Sequence, residues 1–278
     1  MDLLRHGPHR VSPTAHYTGY VWARHGLGDE RLATREGAVL YHGLRPAMAL
    51  SGALGGVRLE DFLLARHGVL DHLLDAAIEA GEIGSVIEIA AGMSPRGKRF
   101  AERYGKRITY VETDLPAMIA RKRLALGPLP DGHRVEELDA LAPGGLERLA
   151  STLDRERGLA VVSEGLLNYL PAAEVAGLWQ SVAVAMEEGF PQGLLLSDIH
   201  LEGENAGPVE SAFAAALGVF VRGRIHFHFQ RAEEAENALR TAGFAHATLH
   251  APRAFADAVP GADRAGAQKV RIVEARLR

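Results

Sequence analysis

Residues 85–100 read SVIEIAAGMSPRGKRF. An apolar run from Ser85 to Ala90 meets a small-residue turn, Ala91-Gly92, and then a segment carrying Arg96, Lys98 and Arg99. A strand entering a tight turn before a helix is how open α/β sheets build a ligand site beyond the carboxyl ends of their strands. Ala90 and Gly92 are small enough to let the backbone approach a ligand closely. The turn lacks G-x-G-x-x-G, and an acid, Glu88, sits inside the strand in phase with Ala90. A carboxylate there would repel a pyrophosphate and suits a cationic ligand. Its other reading is a buried acid bonding neighbouring backbone.

Working outward, apolar positions at Val69, Leu70, Leu73, Leu74, Ala77 and Ile78 predict a helix over 65–80, stopped by Gly81. Strands are predicted at Val86–Ala90, Ile108–Glu112, Arg134–Leu138, Leu159–Ser163 and Gly193–Ile199. Helices are predicted at Pro95–Tyr104, from an Asp114 N-cap to Leu126, at Leu146–Arg157 and from Pro171 to Glu188. A helix at Glu233–Ala242 and two late strands, Phe244–Leu249 and Val270–Leu277, follow. Short strands apolar on both faces read as a parallel sheet covered by helices, closed by an antiparallel hairpin. Residues 1–62 fall outside the alternation and predict a helical lid over the sheet edge; residues 63–278 form the ligand-binding domain.

The chain has 278 residues, 47% hydrophobic and 24% charged, so it can bury a sizeable core. Its net charge of −4 gives no bulk argument for a nucleic-acid partner. It contains no cysteine, which removes disulfides, thiolate nucleophiles and Cys-zinc sites. The start, MDLLRHGPHRVSP, has charge and proline where a signal peptide needs an apolar core, and no run of about 18 apolar residues occurs. A cytoplasmic protein with no membrane partner is expected. Ser211–Val221 reads as a buried helix.

Several residues could carry chemistry. Glu112 lies about 20 residues after Gly92, the spacing at which an acid meets a ribose diol, which fits both NAD and S-adenosylmethionine. Asp114 follows as a second acid or a pure N-cap. Asp139, with Ala140 beside it, either accepts a bond from an adenine amino group or fixes a turn. In SEGLLNYLP (163–171), Glu164 stands where a fourth strand ends, facing the crevice. His200 closes SDIH (197–200) at the end of the fifth strand, as a base or as a surface histidine. His226 and His228 share one face of a short strand or belong to a substrate pocket, with no clear third ligand for a metal. Lys98/Arg99 and Arg121-Lys122-Arg123 read as solvated helix faces.

The segments VIEIAAGMSPRG (86–97), TYVETDLPAMIARKR (109–123), LDAL (138–141) and SEGLLNYLP (163–171), with LLARHGVLDHLLDAAIEAG (63–81) upstream, resemble the leucine carboxyl methyltransferase family and its bacterial branch of polyketide O-methyltransferases. The resemblance covers about residues 63–171. It implies a Rossmann-like class I methyltransferase fold, with a seven-stranded, mostly parallel sheet, and S-adenosylmethionine as cofactor. It implies that Arg66 pairs the methionine carboxylate, that Ala90 and Gly92 line the cofactor, and that Asp114 with Glu112 takes the ribose. Asp139 and Ala140 would flank the adenine, and Glu164 would lie near the methionine amino group. Where many relatives have Asp-Thr-Arg, this chain has Ser94-Pro95-Arg96. By resemblance and lid placement, Tyr17, Trp22 and Tyr169 are substrate-pocket residues.

The expected activity is an in-line O-methyl transfer to a carboxylate or hydroxyl of a small molecule or peptide. A carboxylate arrives ionised and needs no base, whereas a phenol does. The competing readings are a nicotinamide-dependent oxidoreductase and a cofactor-binding protein without turnover.

Overall fold

The computed structural model describes residues 13–53, with side chains through 44, and all of 59–204 and 226–278. The expected helix at Ser211–Val221, and Arg224 and Ile225, lie outside the described residues.

Seven strands make one sheet: β1 (Ile83–Ile89), β2 (Thr109–Asp114), β3 (His133–Glu137), β4 (Gly158–Ser163), β5 (Gly193–Ile199), β6 (His246–His250) and β7 (Arg271–Arg276). Their order is β3-β2-β1-β4-β5-β7-β6. The first five run parallel, and β7 lies antiparallel to both β5 and β6. The expected parallel sheet with a late antiparallel hairpin is the observed one. After β3 the chain returns to the far side of β1, so the topological switch point falls between the carboxyl ends of β1 and β4.

Helices α1 (Pro13–Arg24), α2 (Arg35–Ala53), α3 (Leu59–Glu79), α4 (Arg96–Tyr104), α5 (Pro116–Leu126), α6 (Gly145–Ala150), α7 (Ala172–Glu187) and α8 (Ala232–Thr241) surround the sheet. Strand alternation sorts the core into two layers. Val86, Tyr110, Ala160, Val162 and Leu194 pack with Leu70, Leu74 and Ile78 of α3 and Phe100 of α4. Ile87, Val111, Leu159, Val161 and Leu195 pack with residues of α6, α7 and α8, among them Trp179 and Leu239. Each large side chain taken from water contributes about 1.5–3 kcal/mol, which is why the apolar pattern prevails over local propensity.

Some boundaries differ from the sequence pattern. The helix expected over Leu146–Arg157 stops at Ala150. The Ser151 and Thr152 hydroxyls bond back to the Arg148 and Leu149 carbonyls there, and side chains that bond local backbone compete with the helix. Asp114 is the last residue of β2 rather than a cap; Leu115 occupies the N-cap of α5 and Pro116 its first turn. α3 begins at Leu59, so the boundary expected at residue 62 cuts through this helix.

α1 lies directly on the β1–α4 turn. A Cβ added at Gly19 would fall 2.6 Å from the Met93 Cβ, and one added at Gly28, just beyond α1, would fall 2.1 Å from the Pro95 Cβ. Only glycine permits this approach.

Candidate functional site

The turn after β1 is bent and pinned. Ala90 has φ +51° and is the single non-glycine residue in the left-handed region among the described residues; Gly92 follows at +52°. Such a conformation costs Ala90 about 1 kcal/mol. Hydrogen bonds to the end of β2 hold it: Ala91 N–H to the Thr113 carbonyl at 2.9 Å, and Gly92 N–H to Asp114 Oδ2 at 2.8 Å. Asp114 Oδ1 also accepts the Leu115 N–H at 2.7 Å. Burial pushes the Asp114 carboxyl above its usual range, and the two backbone donors only partly offset it. Ser94 is buried, and its Oγ accepts the Arg96 N–H at 3.2 Å, so this hydroxyl fixes the start of α4.

Beneath the turn lies a buried ionic cluster. Arg96 donates from Nε to Asp71 Oδ1 at 2.5 Å, from Nη1 to Glu88 Oε1 at 2.6 Å and from Nη2 to Glu164 Oε2 at 2.7 Å. The other Glu88 oxygen accepts the Tyr110 hydroxyl at 2.8 Å. Arg66 donates to Glu164 Oε1 at 2.9 Å and to Asp198 Oδ2 at 3.0 Å. His67 Nδ1 lies 2.8 Å from Glu164 Oε2, and Arg99 Nη1 lies 2.9 Å from Asp71 Oδ2. Burial alone would raise the Glu164 carboxyl, but His67, Arg66 and Arg96 hold it well below the usual range. Four carboxylates (Asp71, Glu88, Glu164, Asp198) meet three guanidiniums (Arg66, Arg96, Arg99). His67 is the fourth basic group of the cluster.

Glu112 belongs to a different group. Its oxygens take the Lys122 ammonium at 2.6 Å and His133 Nε2 at 2.9 Å, and all three side chains are sealed from solvent. A Cβ added at Gly97 would fall 2.6 Å from the Glu112 Cδ, so α4 closes over it. Glu112, expected to meet a ribose diol, lies in the sheet layer under α4 with both oxygens engaged, and Asp114, two residues on, stands at the strand end. Lys122 is likewise buried rather than solvated. Glu88 lies in the same layer with both oxygens engaged. Asp139 is exposed and its Oδ1 accepts the Leu141 N–H at 3.0 Å, so it fixes a turn; Ala140 packs against the core.

The remaining candidates surround the cluster. Tyr169 bonds Thr14 of α1 and lies beside Arg66 and Asp198; burial raises its hydroxyl. The Trp22 ring packs 4.7 Å from that of His67, and its buried indole N–H has no partner. Tyr17 is buried, with its hydroxyl raised first by burial and then by Glu60. His200 follows β5; its Nδ1 lies 2.6 Å from the Lys269 carbonyl, and its ring meets Phe62 edge-on at 5.5 Å. The His226 and His228 rings stack at 5.9 Å, in irregular backbone rather than a strand.

The geometry gathers the Asp114 carboxyl and the Arg66–Glu164 pair around the ends of β1, β2 and β4. Residues 46–183 match the leucine carboxyl methyltransferase family. This region belongs to that family.

A Frankia alni protein named as an S-adenosyl-L-methionine-dependent methyltransferase is 28% identical over 166 residues, which cover 56% of this chain and 55% of that protein. The match thus spans about half the length of that relative. A DUF574 family protein from Streptomyces avermitilis superposes with TM-score 0.66 at 16% identity, covering 95% of each chain. A Thermobifida fusca protein described as a methyltransferase superposes with TM-score 0.62 at 14% identity, covering 96% of this chain and 95% of its own. At these identities the likeness establishes the fold.

Within the family region the reading of residues missed His67, Asp71 and Arg96 as members of the cluster; Asp198, beyond it, was missed too. Arg66, His67 and Asp71 lie four and five residues apart, on one side of α3, which is a readable signal. Arg96 and Asp198 carry none by themselves, because their partners come from other elements.

Proposed function

We propose that the chain binds S-adenosylmethionine beyond the ends of β1, β2 and β4 and transfers its methyl group to an oxygen of a small-molecule or peptide acceptor. The observation that carries this is the pinned turn after β1, flanked by the Asp114 carboxyl on the β2 side and the Arg66–Glu164 pair on the β4 side. S-adenosylmethionine carries an ammonium, a sulfonium and a carboxylate, a net of one positive charge. A Cβ on Gly92 would lie 3.1 Å from the Ala15 Cβ, and one on Gly165 would lie 2.9 Å from Arg66 Nη2, so α1 and Arg66 approach these two turns closely.

In this reading Asp114 takes the ribose hydroxyls and Arg66 the methionine carboxylate through the guanidinium fork. Glu164 faces the amino group, Ala90 and Gly92 give backbone contact, and Asp139 with Ala140 borders the adenine. Glu88 supports the site from below through Arg96. When bound, the sulfonium supplies an activated methyl group. The chain's own part is to align the acceptor and exclude water. Helices α1 and α2 act as the lid, Tyr17, Trp22 and Tyr169 shape the acceptor pocket, and His200 is the candidate base. Polyketide-type hydroxyls and acids are the acceptors to try first.

Calorimetric titration with S-adenosylhomocysteine, beside NAD and NADP, tests the reading. Binding of the first alone, weakened by about 1–3 kcal/mol in Arg66→Ala, is expected. Binding of a nicotinamide cofactor alone would make the protein an oxidoreductase, and wild-type affinity in Arg66→Ala would remove that residue from the site.

A further inference from the structure

The acceptor's chemical class is written at the end of β5. A carbonyl oxygen can only accept, so the 2.6 Å contact between His200 Nδ1 and the Lys269 carbonyl places the proton on Nδ1. Nε2 then carries a lone pair. It has no partner among the described residues, and His200 is half-buried rather than sealed.

The backbone at His200 is equally fixed. Asn168 Oδ1 accepts the His200 N–H at 2.9 Å, and its Nδ2 donates to the His200 carbonyl at 3.3 Å and the His226 carbonyl at 2.6 Å. One amide therefore ties the end of β5 to the turn after β4. Phe62 links the imidazole to the cofactor side: its ring lies 5.5 Å from that of His200 and 5.4 Å from the Arg66 guanidinium.

We propose that the acceptor is a hydroxyl of phenol or enol character, and that His200 Nε2 removes its proton as the oxygen is methylated. This rests on S-adenosylmethionine being the methyl donor. The oxygen lone pair forms the new C–O bond while the C–S bond breaks and sulfur keeps its electron pair. The proton passes to Nε2 and then to solvent, leaving methyl ether and neutral thioether. Asn168 and the Lys269 carbonyl are the positioning groups.

A carboxylate acceptor has no use for this arrangement. It arrives ionised and would need a cation, whereas burial lowers the His200 pKa and favours neutral imidazole. The groups facing that ring are Asp198 and the Lys269 carbonyl, which favour the charged form, and Arg66, which opposes it.

The test begins with S-adenosylhomocysteine titration; failure to bind ends the cofactor reading itself. In protein that binds it, methyl transfer is followed by mass spectrometry on naphthol, catechol, para-hydroxybenzoate and naphthoate. Methyl ethers are expected, with para-hydroxybenzoate methylated on its hydroxyl. Methyl esters alone, or no ether from any of these hydroxyls, overturn the acceptor class. His200→Asn keeps a donor for Lys269 but lacks Nε2. It should retain S-adenosylhomocysteine affinity, lower ether formation by about a hundredfold or more, and abolish the acid limb of the kcat/KM profile. Independently of turnover, imidazole nitrogen NMR at neutral pH should show His200 as the neutral Nδ1–H tautomer. The opposite tautomer, or undiminished turnover in His200→Asn, overturns the base.

Discussion

Glu88 and Glu112 are register partners on neighbouring parallel strands, both sealed, both on the sheet layer under α4. Their surroundings differ. Glu88 joins a cluster that continues through Arg96 to Glu164 and Arg66, and so reaches the end of β4. Glu112 closes on Lys122 and His133, and among the described residues its ion pairs go no further; the His133 ring packs edge-on against Tyr110 at 6.5 Å. One buried acid is the root of the site; the other is a local clamp between β2, β3 and α5. The face of the sheet does not separate the two. What separates them is whether the cation they bind touches a residue at a strand end.

The largest effect should come from cutting the first network at its centre. Removing one partner of a buried ion pair costs about 3–5 kcal/mol, and Arg96 serves three carboxylates at once. Arg96→Met should fall at the upper end of that range, read as a lower urea midpoint at unchanged slope. A loss under about 1 kcal/mol would mean that the cluster holds nothing together.

Next comes the clamp. Glu112→Gln leaves Lys122 buried without a counter-charge and should cost about 3 kcal/mol, while Glu112→Leu with Lys122→Met should recover most of it. Neither should change S-adenosylhomocysteine affinity. A tenfold loss in folded protein would erase the contrast and return Glu112 to the ribose. Both networks should weaken in acid with the same sign. Burial opposes ionisation of Glu112 and Glu164, yet their cationic neighbours depress both pKa values. The resulting stability is fully present above the ordinary carboxylate range near pH 4 and is lost as pH falls through the depressed values.

The fold was legible because turn residues and apolar runs mark each strand, and burial of those runs outweighs local preference. Glu164 and Asp114 were legible as acids next to strand ends. The roles of Glu88 and Glu112 were not, because spacing counts residues along a strand but does not say which point off its end. Nor was the pairing of Arg96, whose partners Glu88, Asp71 and Glu164 lie 8, 25 and 68 residues away. Only the packed sheet brings them within one guanidinium's reach. Ser94 shows the converse: its bond from the Arg96 N–H spans two residues and is local.

The smallest expected effect sharpens the contrast most, because it separates binding from stability. Asp114 is the one acid here whose pKa is raised, by burial that the Gly92 and Leu115 N–H groups only partly offset. Its charge therefore opposes folding at neutral pH, and Asp114→Asn should leave stability nearly unchanged. Two ribose hydroxyls donating to the carboxylate would favour its ionised form. S-adenosylhomocysteine affinity should then fall as pH drops through the raised Asp114 pKa. Hydrogen bonds to a charged group contribute about 1.5–3 kcal/mol, so the asparagine variant should bind ten- to a hundredfold more weakly, with a flattened pH profile. An unchanged slope in Asp114→Asn would place the titrating group elsewhere and remove Asp114 from the ribose.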